Sequence, residues 1–317
     1  MTGLLDSVRR TALLLLMIAA PLASAAPAPL LQLDVTHAGS RLVSAGERGQ
    51  VLYSDDQGRH WQAAEVQTWQ MLTALYFPDP QHGWAVGHDA QILATHDGGL
   101  HWGLQFQDPQ RQAPLLDVWF RDSHRGFAVG AYGALLGTTD GGAHWQDLGD
   151  TLDNEDQLHL NAITATGDGT LFIVGEAGLM LRSTDSGEHW QRLASPYEGS
   201  LFGVLATAEQ RTLLVYGLRG HLYRSTDAGD SWQAIEVADA HAGLAGGSLQ
   251  NDGSLVLVGN AGSVLRSVDG GRSFSLLQRP DRQALSAVTG TADGHLVLAG
   301  QGGLQRATAT GASLEQP

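Results

Sequence analysis

The chain has no cysteine and no lysine, and after residue 25 no run approaches the ~20 apolar residues of a membrane-spanning helix. Without cysteine there can be no disulfide, thiolate metal site, cysteine nucleophile or lipid-bearing N-terminal cysteine. All 18 basic residues are therefore arginines, set against 33 acidic residues for a net charge of −15. A field of that sign repels nucleic acid and anionic lipid, so membrane contact is expected only through a partner. Aromatics are also scarce, at 7%, although eight of them are tryptophan.

The first residues read as a targeting segment. Arg9 and Arg10 precede an apolar run from Ala12 to Ala20, and Ala23-Ser24-Ala25 supplies a small-residue cleavage pattern. Residues 1–25 are read as a cleaved signal peptide and 26–317 as one domain, periplasmic or secreted. Val8 before the arginine pair and Ala12 after it fit the ordinary Sec route better than twin-arginine export. Losing Arg9, Arg10 and Asp6 leaves 16 basic and 32 acidic residues, a net charge of −16. An exported domain without disulfides suits a bacterial periplasm, where a large core suffices.

What the chain has in abundance is glycine, 41 residues, and one octapeptide, Ser/Thr-x-Asp-x-Gly-x-x-Trp/Phe. Its six copies are the Asp boxes Ser54-Asp56-Gly58-Trp61, Thr95-Asp97-Gly99-Trp102, Thr138-Asp140-Gly142-Trp145, Ser183-Asp185-Gly187-Trp190, Ser225-Asp227-Gly229-Trp232 and Ser267-Asp269-Gly271-Phe274. Successive aspartates are 41, 43, 45, 42 and 42 residues apart, the size of one four-stranded propeller blade. Each unit reads as a first strand (Leu72 to Phe77, for example), a second strand ending in Gly, a third entering the box and a fourth leaving from the Trp. Asp168-Gly169, Asp252-Gly253 and Asp293-Gly294 supply hairpin turns.

In the box, Asp accepts hydrogen bonds from turn amides, Ser/Thr bonds back to the loop, Gly permits positive φ and the aromatic ring is buried beside the turn. The six aspartates are thus structural. A seventh, decayed unit follows, with Ala309 where Asp should stand and no Trp after it. The expected fold is all-β, a seven-bladed β-propeller of Asp-box repeats closed by its N- and C-terminal segments. The segment around Pro29 to Leu33 is expected to supply the missing fourth strand of the last blade.

The phrases Asp122-Ser123-His124-Arg125-Gly126-Phe127-Ala128-Val129-Gly130 and Thr138-Thr139-Asp140-Gly141-Gly142-Ala143-His144-Trp145 resemble the photosystem II stability/assembly factor-like propellers, a bacterial neuraminidase repeat family. The resemblance spans nearly the whole mature chain and implies an accessory or assembly role in the envelope. In photosynthetic members it implies a basic face that holds reaction-centre proteins, whereas this chain is acidic.

Sialidases share the box, and their chemistry needs an arginine triad, a Tyr/Glu nucleophile pair and an acid/base Asp. The Arg-Ile-Pro phrase near the first such arginine is missing here. A carbohydrate-active enzyme or lectin using the central pocket, with Glu47, Asp89 or Glu176 as its carboxylates, is the alternative to a non-catalytic binding or assembly factor. Four of the 13 histidines (His60, His101, His144, His189) occupy one box position on separate turns, so they do not converge on a metal. Asp150, Asp153, Glu155 and Asp156 lack the alternating spacing of a calcium loop. No metal, no cofactor and a monomer are expected.

Propeller topology puts the turns between second and third strands on one face with the inter-blade connections, and the boxes on the other. Glu47, Arg48, His88, Asp89, Tyr132, Glu176, Arg219 and Asn260 lie in the first set; Trp69, Arg111 and Tyr197 lie in the second. Mixed charge and aromatics on convergent loops mark this face as the candidate surface for a protein partner in the envelope.

Overall fold

The computed structural model describes residues 30–314, and the expected signal segment lies outside them. Seven sheets follow one another along the chain, antiparallel apart from one added strand, and among the described residues there is no α-helix. Each sheet runs from the channel outward, as in blade 4: Leu160–Ala165, Leu171–Gly175, Met180–Ser183 and Gln191–Arg192. The second strands, such as Leu171–Gly175 and Leu255–Gly259, are buried along their whole length because blades stack on both their faces. Phe120 on blade 3 stacks on Trp84 of blade 2 at 3.5 Å between ring centroids, one of the contacts that weld adjacent blades.

Two local rules repeat. The innermost strand of every blade has an irregularity after its first residue, as between Leu160 and Ala162. The glycine ending the second strand faces that point: a side chain on Gly175 would collide with the His159 carbonyl, and one on Gly300 with that of Ala284. The outermost strands are short, two residues in blades 1, 3, 4 and 5, which limits exposed edge. Blade 2 differs: its outer strand His101–Phe106 is longer and pairs in parallel with an added strand, Glu65–Val66.

The boxes are built as their residue types require. In the first, Ser54 Oγ donates to Asp56 Oδ1 at 2.9 Å and accepts from Gly58 N at 2.9 Å, while Asp56 Oδ1 accepts from His60 N at 2.9 Å. The box glycines have positive φ, +75° at Gly58 and +88° at Gly187. Ring burial is less uniform than the motif suggests. Trp102 is buried, with Nε1 donating to Gly99 O at 3.0 Å. Trp61, Trp145, Trp190, Trp232 and Phe274 are half-buried.

Closure departs from the expectation for the N-terminal segment. Gln32 and Leu33 belong to the innermost strand of blade 1, Gln32–Ala38, which pairs with Arg41–Gly46; Pro29 lies outside the described residues. Blade 1 takes this segment as its own inner strand, which buries Val35 and Ala38 in its core. The outer position of blade 7 is filled instead by the C-terminal segment, which folds back to an antiparallel bridge between Ala307 and Ser313. Buried Arg279 pins it, donating to Gly311 O at 2.8 Å, Gln305 Oε1 at 2.6 Å and Ser313 Oγ at 3.2 Å. The ring then closes side by side, with Ser286 Oγ donating to Gln32 O at 2.8 Å and Arg59 pairing with Asp293 at 2.7 Å.

Candidate binding face

In blades 1 to 6 the turn between second and third strands is a three-residue helical turn. Its middle residue is left-handed without being glycine: Arg48 (φ +59°), Asp89 (+57°), Tyr132 (+56°), Ala177 (+49°), Arg219 (+58°) and Ala261 (+56°). Non-glycine residues in that region carry backbone strain, which the ring around them holds in place. The inter-blade connections lie over these turns, as where Asp108 N donates to Asp89 O at 3.1 Å. The candidate residues therefore share one face, opposite the boxes.

On that face the structure forms three groups. Trp69, 87% exposed, is followed by Gln70, whose Nε2 donates to Asp89 Oδ2 at 2.5 Å, with His88 exposed beside it. Tyr132, 61% exposed, meets His159 edge-on at 5.0 Å, and His159 N donates to Glu176 Oε2 at 3.2 Å. Arg111 reaches the same place by pairing with Asp147, and together with Tyr132, Asp150 and Glu155 it lines a hollow of about 430 Å³. The third group sets Tyr197 against His221, tilted by 32° at 4.1 Å, with the Tyr223 ring parallel to His221 beyond it and Leu218 and Arg219 exposed in the adjacent turn. Glu47 and Arg48, paired with each other at 3.5 Å on blade 1, and Asn260 on blade 6 stand apart from these groups. His159, His221 and Tyr223 were not singled out from sequence; nothing in their local pattern distinguishes them.

The acidic segment at 150–156 is organised from within. Asn154 Oδ1 accepts from Leu158 N at 3.0 Å and its Nδ2 donates to Leu158 O at 2.9 Å, leaving the four carboxylate residues exposed.

On the opposite face each box histidine belongs to its own aspartate. Nδ1 of His60, His101, His144 and His189 lies 2.6, 2.6, 2.7 and 2.7 Å from Oδ2 of Asp56, Asp97, Asp140 and Asp185. In the last two boxes Ser231 and Ser273 take that place, each donating through Oγ. The bonds from the His144 side chain and backbone hold Asp140 down to about 2.

The central channel holds carboxylates that the sequence reading passed over. Glu47, Asp89 and Glu176 sit on the rim turns; the cavity of about 480 Å³ is lined by Asp34 and Asp117, with no arginine or histidine on its wall. Asp34 Oδ2 accepts from Leu75 N of the next blade at 2.7 Å, and Asp117 Oδ2 from Ile163 N at 2.8 Å. Burial raises Asp34 to about 6 and Asp117 to about 7, against these backbone bonds. The sequence signal was the phrase Leu-Asp-Val at 33–35 and again at 116–118, a carboxylate inside an otherwise apolar strand.

Comparison with known proteins follows the same lines. Residues 53–113 and 104–316 match the family described as photosynthesis system II assembly factor YCF48. The photosystem II assembly protein Ycf48 of Synechococcus sp. (strain JA-3-3Ab) is 48% identical over 44 residues, and that match covers 13% of each chain. A solved structure of YCF48 bound to D1 peptide superposes with a TM-score of 0.71 at 18% identity, over 89% of this chain and 93% of that one. A streptogramin B lyase superposes at 0.73 with 14% identity, over 89% of this chain and 94% of that one, so the ring itself is shared with an enzyme. The family match covers most of the chain, and the protein is therefore a member of the Ycf48 photosystem II assembly factor family.

Proposed function

We propose that this chain is an exported, non-catalytic assembly or accessory factor that holds a segment of a protein partner on its loop face, in the periplasm or at the cell surface. The observation that carries this reading is the set of strained, outward-facing turn residues ringed by inter-blade loops, with Trp69, Tyr132 and Leu218 exposed on that face. Large aromatic side chains left in water on a rigid scaffold are where a partner's contacts concentrate. Family membership supports the assembly role, and a relative of the same fold holding a D1 peptide supports an extended protein segment as the kind of partner. The signal-like first 25 residues support export.

The boxes support the ring and not the partner, since their Asp, Ser/Thr and His groups are spent on one another. The reading is tested by replacing Trp69, Tyr132 and Arg219 together with Ala and measuring both Tm and recovery of the co-purifying partner. Loss of the partner at unchanged Tm supports the loop face; retention of the partner argues against it.

A further inference from the structure

The channel carboxylates have a structural duty, but that duty does not require charge. At three other junctions neutral side chains tie neighbouring inner strands: Thr73 Oγ1 donates to Leu115 O at 2.6 Å, Asn161 Nδ2 to Leu201 O at 2.8 Å and Ser286 Oγ to Gln32 O at 2.8 Å. Blades 1 and 3 place Asp34 and Asp117 in the cavity instead, with no Arg or His among its lining residues and no Lys in the chain. Two carboxylates without a countercharge in a confined space are costly when ionised, and either a proton or a bound cation relieves that cost.

A second feature points the same way. Tyr216, on the second strand of blade 5 and only 3% exposed, lines this cavity through the gap left by Gly203 and Gly247. Its ring is buried but its hydroxyl, which makes no side-chain hydrogen bond among the described residues, is presented to the cavity. All three residues line the same cavity, and burial first, then the charges of Asp117 and Asp34, raises the Tyr216 pKa and keeps its hydroxyl protonated.

The chemistry of the wall narrows the ligand. Both oxygens of each carboxylate already accept a backbone N–H: Asp34 from Val35 and Leu75, Asp117 from Val118 and Ile163. That leaves single lone-pair directions, unsuited to the bidentate fork of a guanidinium and short of the oxygen shell of a divalent ion. An ammonium group, a point charge with separately directed donors, fits single acceptors. Thr36, Thr289 and Ser248 add hydroxyls along the wall, between the alanines 74, 162 and 287. A cavity of about 480 Å³ accommodates an alkyl chain behind the cation.

We propose that the central channel is a binding site for an alkylammonium group, held by Asp34 and Asp117 with the Tyr216 hydroxyl as a further acceptor. The group arrives either on a free amine or on a lysine side chain of a docked protein. This site is separate from the loop-face reading, which stands or falls on its own experiment.

Calorimetric titration of the full chain tests it with two probes, 1,4-diaminobutane and N-acetyl-lysine methylamide, with tetramethylammonium as a cation that has no N–H donor. The expected result is saturable one-to-one binding of at least one probe and little of tetramethylammonium. Asp117→Asn should weaken binding about 10-fold or more and Tyr216→Phe about 3-fold or more, while Glu236→Gln on the exterior changes nothing. Tyr216→Phe removes no hydrogen bond of the folded protein, so it remains informative if Asp117→Asn unfolds. Preference for the diamine identifies a free amine as the source, and preference for the lysine amide identifies a protein side chain. No saturation by either probe up to about 10 mM, or equal binding by the wild type and both channel variants, overturns the proposal.

Discussion

The Asp117 carboxylate on the inner strand of blade 3 accepts a 2.8 Å hydrogen bond from the backbone N–H of Ile163 on blade 4, so one side chain both faces the channel and joins two blades. Asp34 does the same between blades 1 and 2, reaching Leu75 N at 2.7 Å. Their raised pKa values, about 7 and about 6, have a consequence for stability. Between the unfolded value near 4 and these folded values the native state binds more protons than the unfolded chain. Stability from these groups is therefore full below about pH 4 and falls as pH rises through 6 to 7. Tm measured from pH 5 to pH 8 should decline, and Asp117→Asn should flatten that decline. A wild-type Tm independent of pH over this window would contradict the assignment.

The box aspartates act in the opposite direction. Asp140 is held to about 2 by the His144 side chain and backbone N–H, so its contribution is present above about pH 4 and lost as pH falls toward 2. At neutral pH, Asp185→Ala should lower Tm by about 2 to 4 °C and leave partner binding unchanged. Loss of binding at constant Tm would make the box a functional site.

The geometry of the boxes was legible because each residue type has a local task. Asp, Gly and Ser/Thr at fixed spacing define a turn whatever surrounds it, and six copies at a blade-sized interval define a ring. The histidine before each Trp was visible as a repeat, but its pairing with the box Asp needed coordinates. Asp34 and Asp117 were missed for a different reason: their partners, Leu75 and Ile163, lie one blade away, and that neighbourhood is a property of the ring. The closure was misjudged likewise. Arg279 reads as an ordinary loop arginine, yet it lies buried against Gly311, Gln305 and Ser313, and this contact makes an exchanged N-terminal strand unnecessary.

Arg279→Ala should consequently cost about 2 kcal/mol in urea unfolding, since it removes the hydrogen bonds to Gly311, Gln305 and Ser313 and leaves the C-terminal segment untied, while its pair with exposed Asp281 adds little. Truncation after Thr308 should be destabilising as well, and the two changes combined should cost much less than their sum. Simple additivity would mean that Arg279 does not act through this segment.

The box tryptophans are not equivalent. Trp102 is buried and its Nε1 bonds Gly99 O, whereas Nε1 of Trp190 has no partner among the described residues. Trp102→Phe should cost about 1 kcal/mol more than Trp190→Phe, read from the shift in urea midpoint at constant slope.

The central claim, that function resides on the loop face, is tested most directly by photo-cross-linking in living cells. A cross-linking residue at Tyr132 is compared with one at Glu188 on the box face, and products are identified by mass spectrometry. One dominant protein partner captured from Tyr132 and absent from Glu188 is the predicted result. The same partner captured from Glu188 and not from Tyr132 would contradict it.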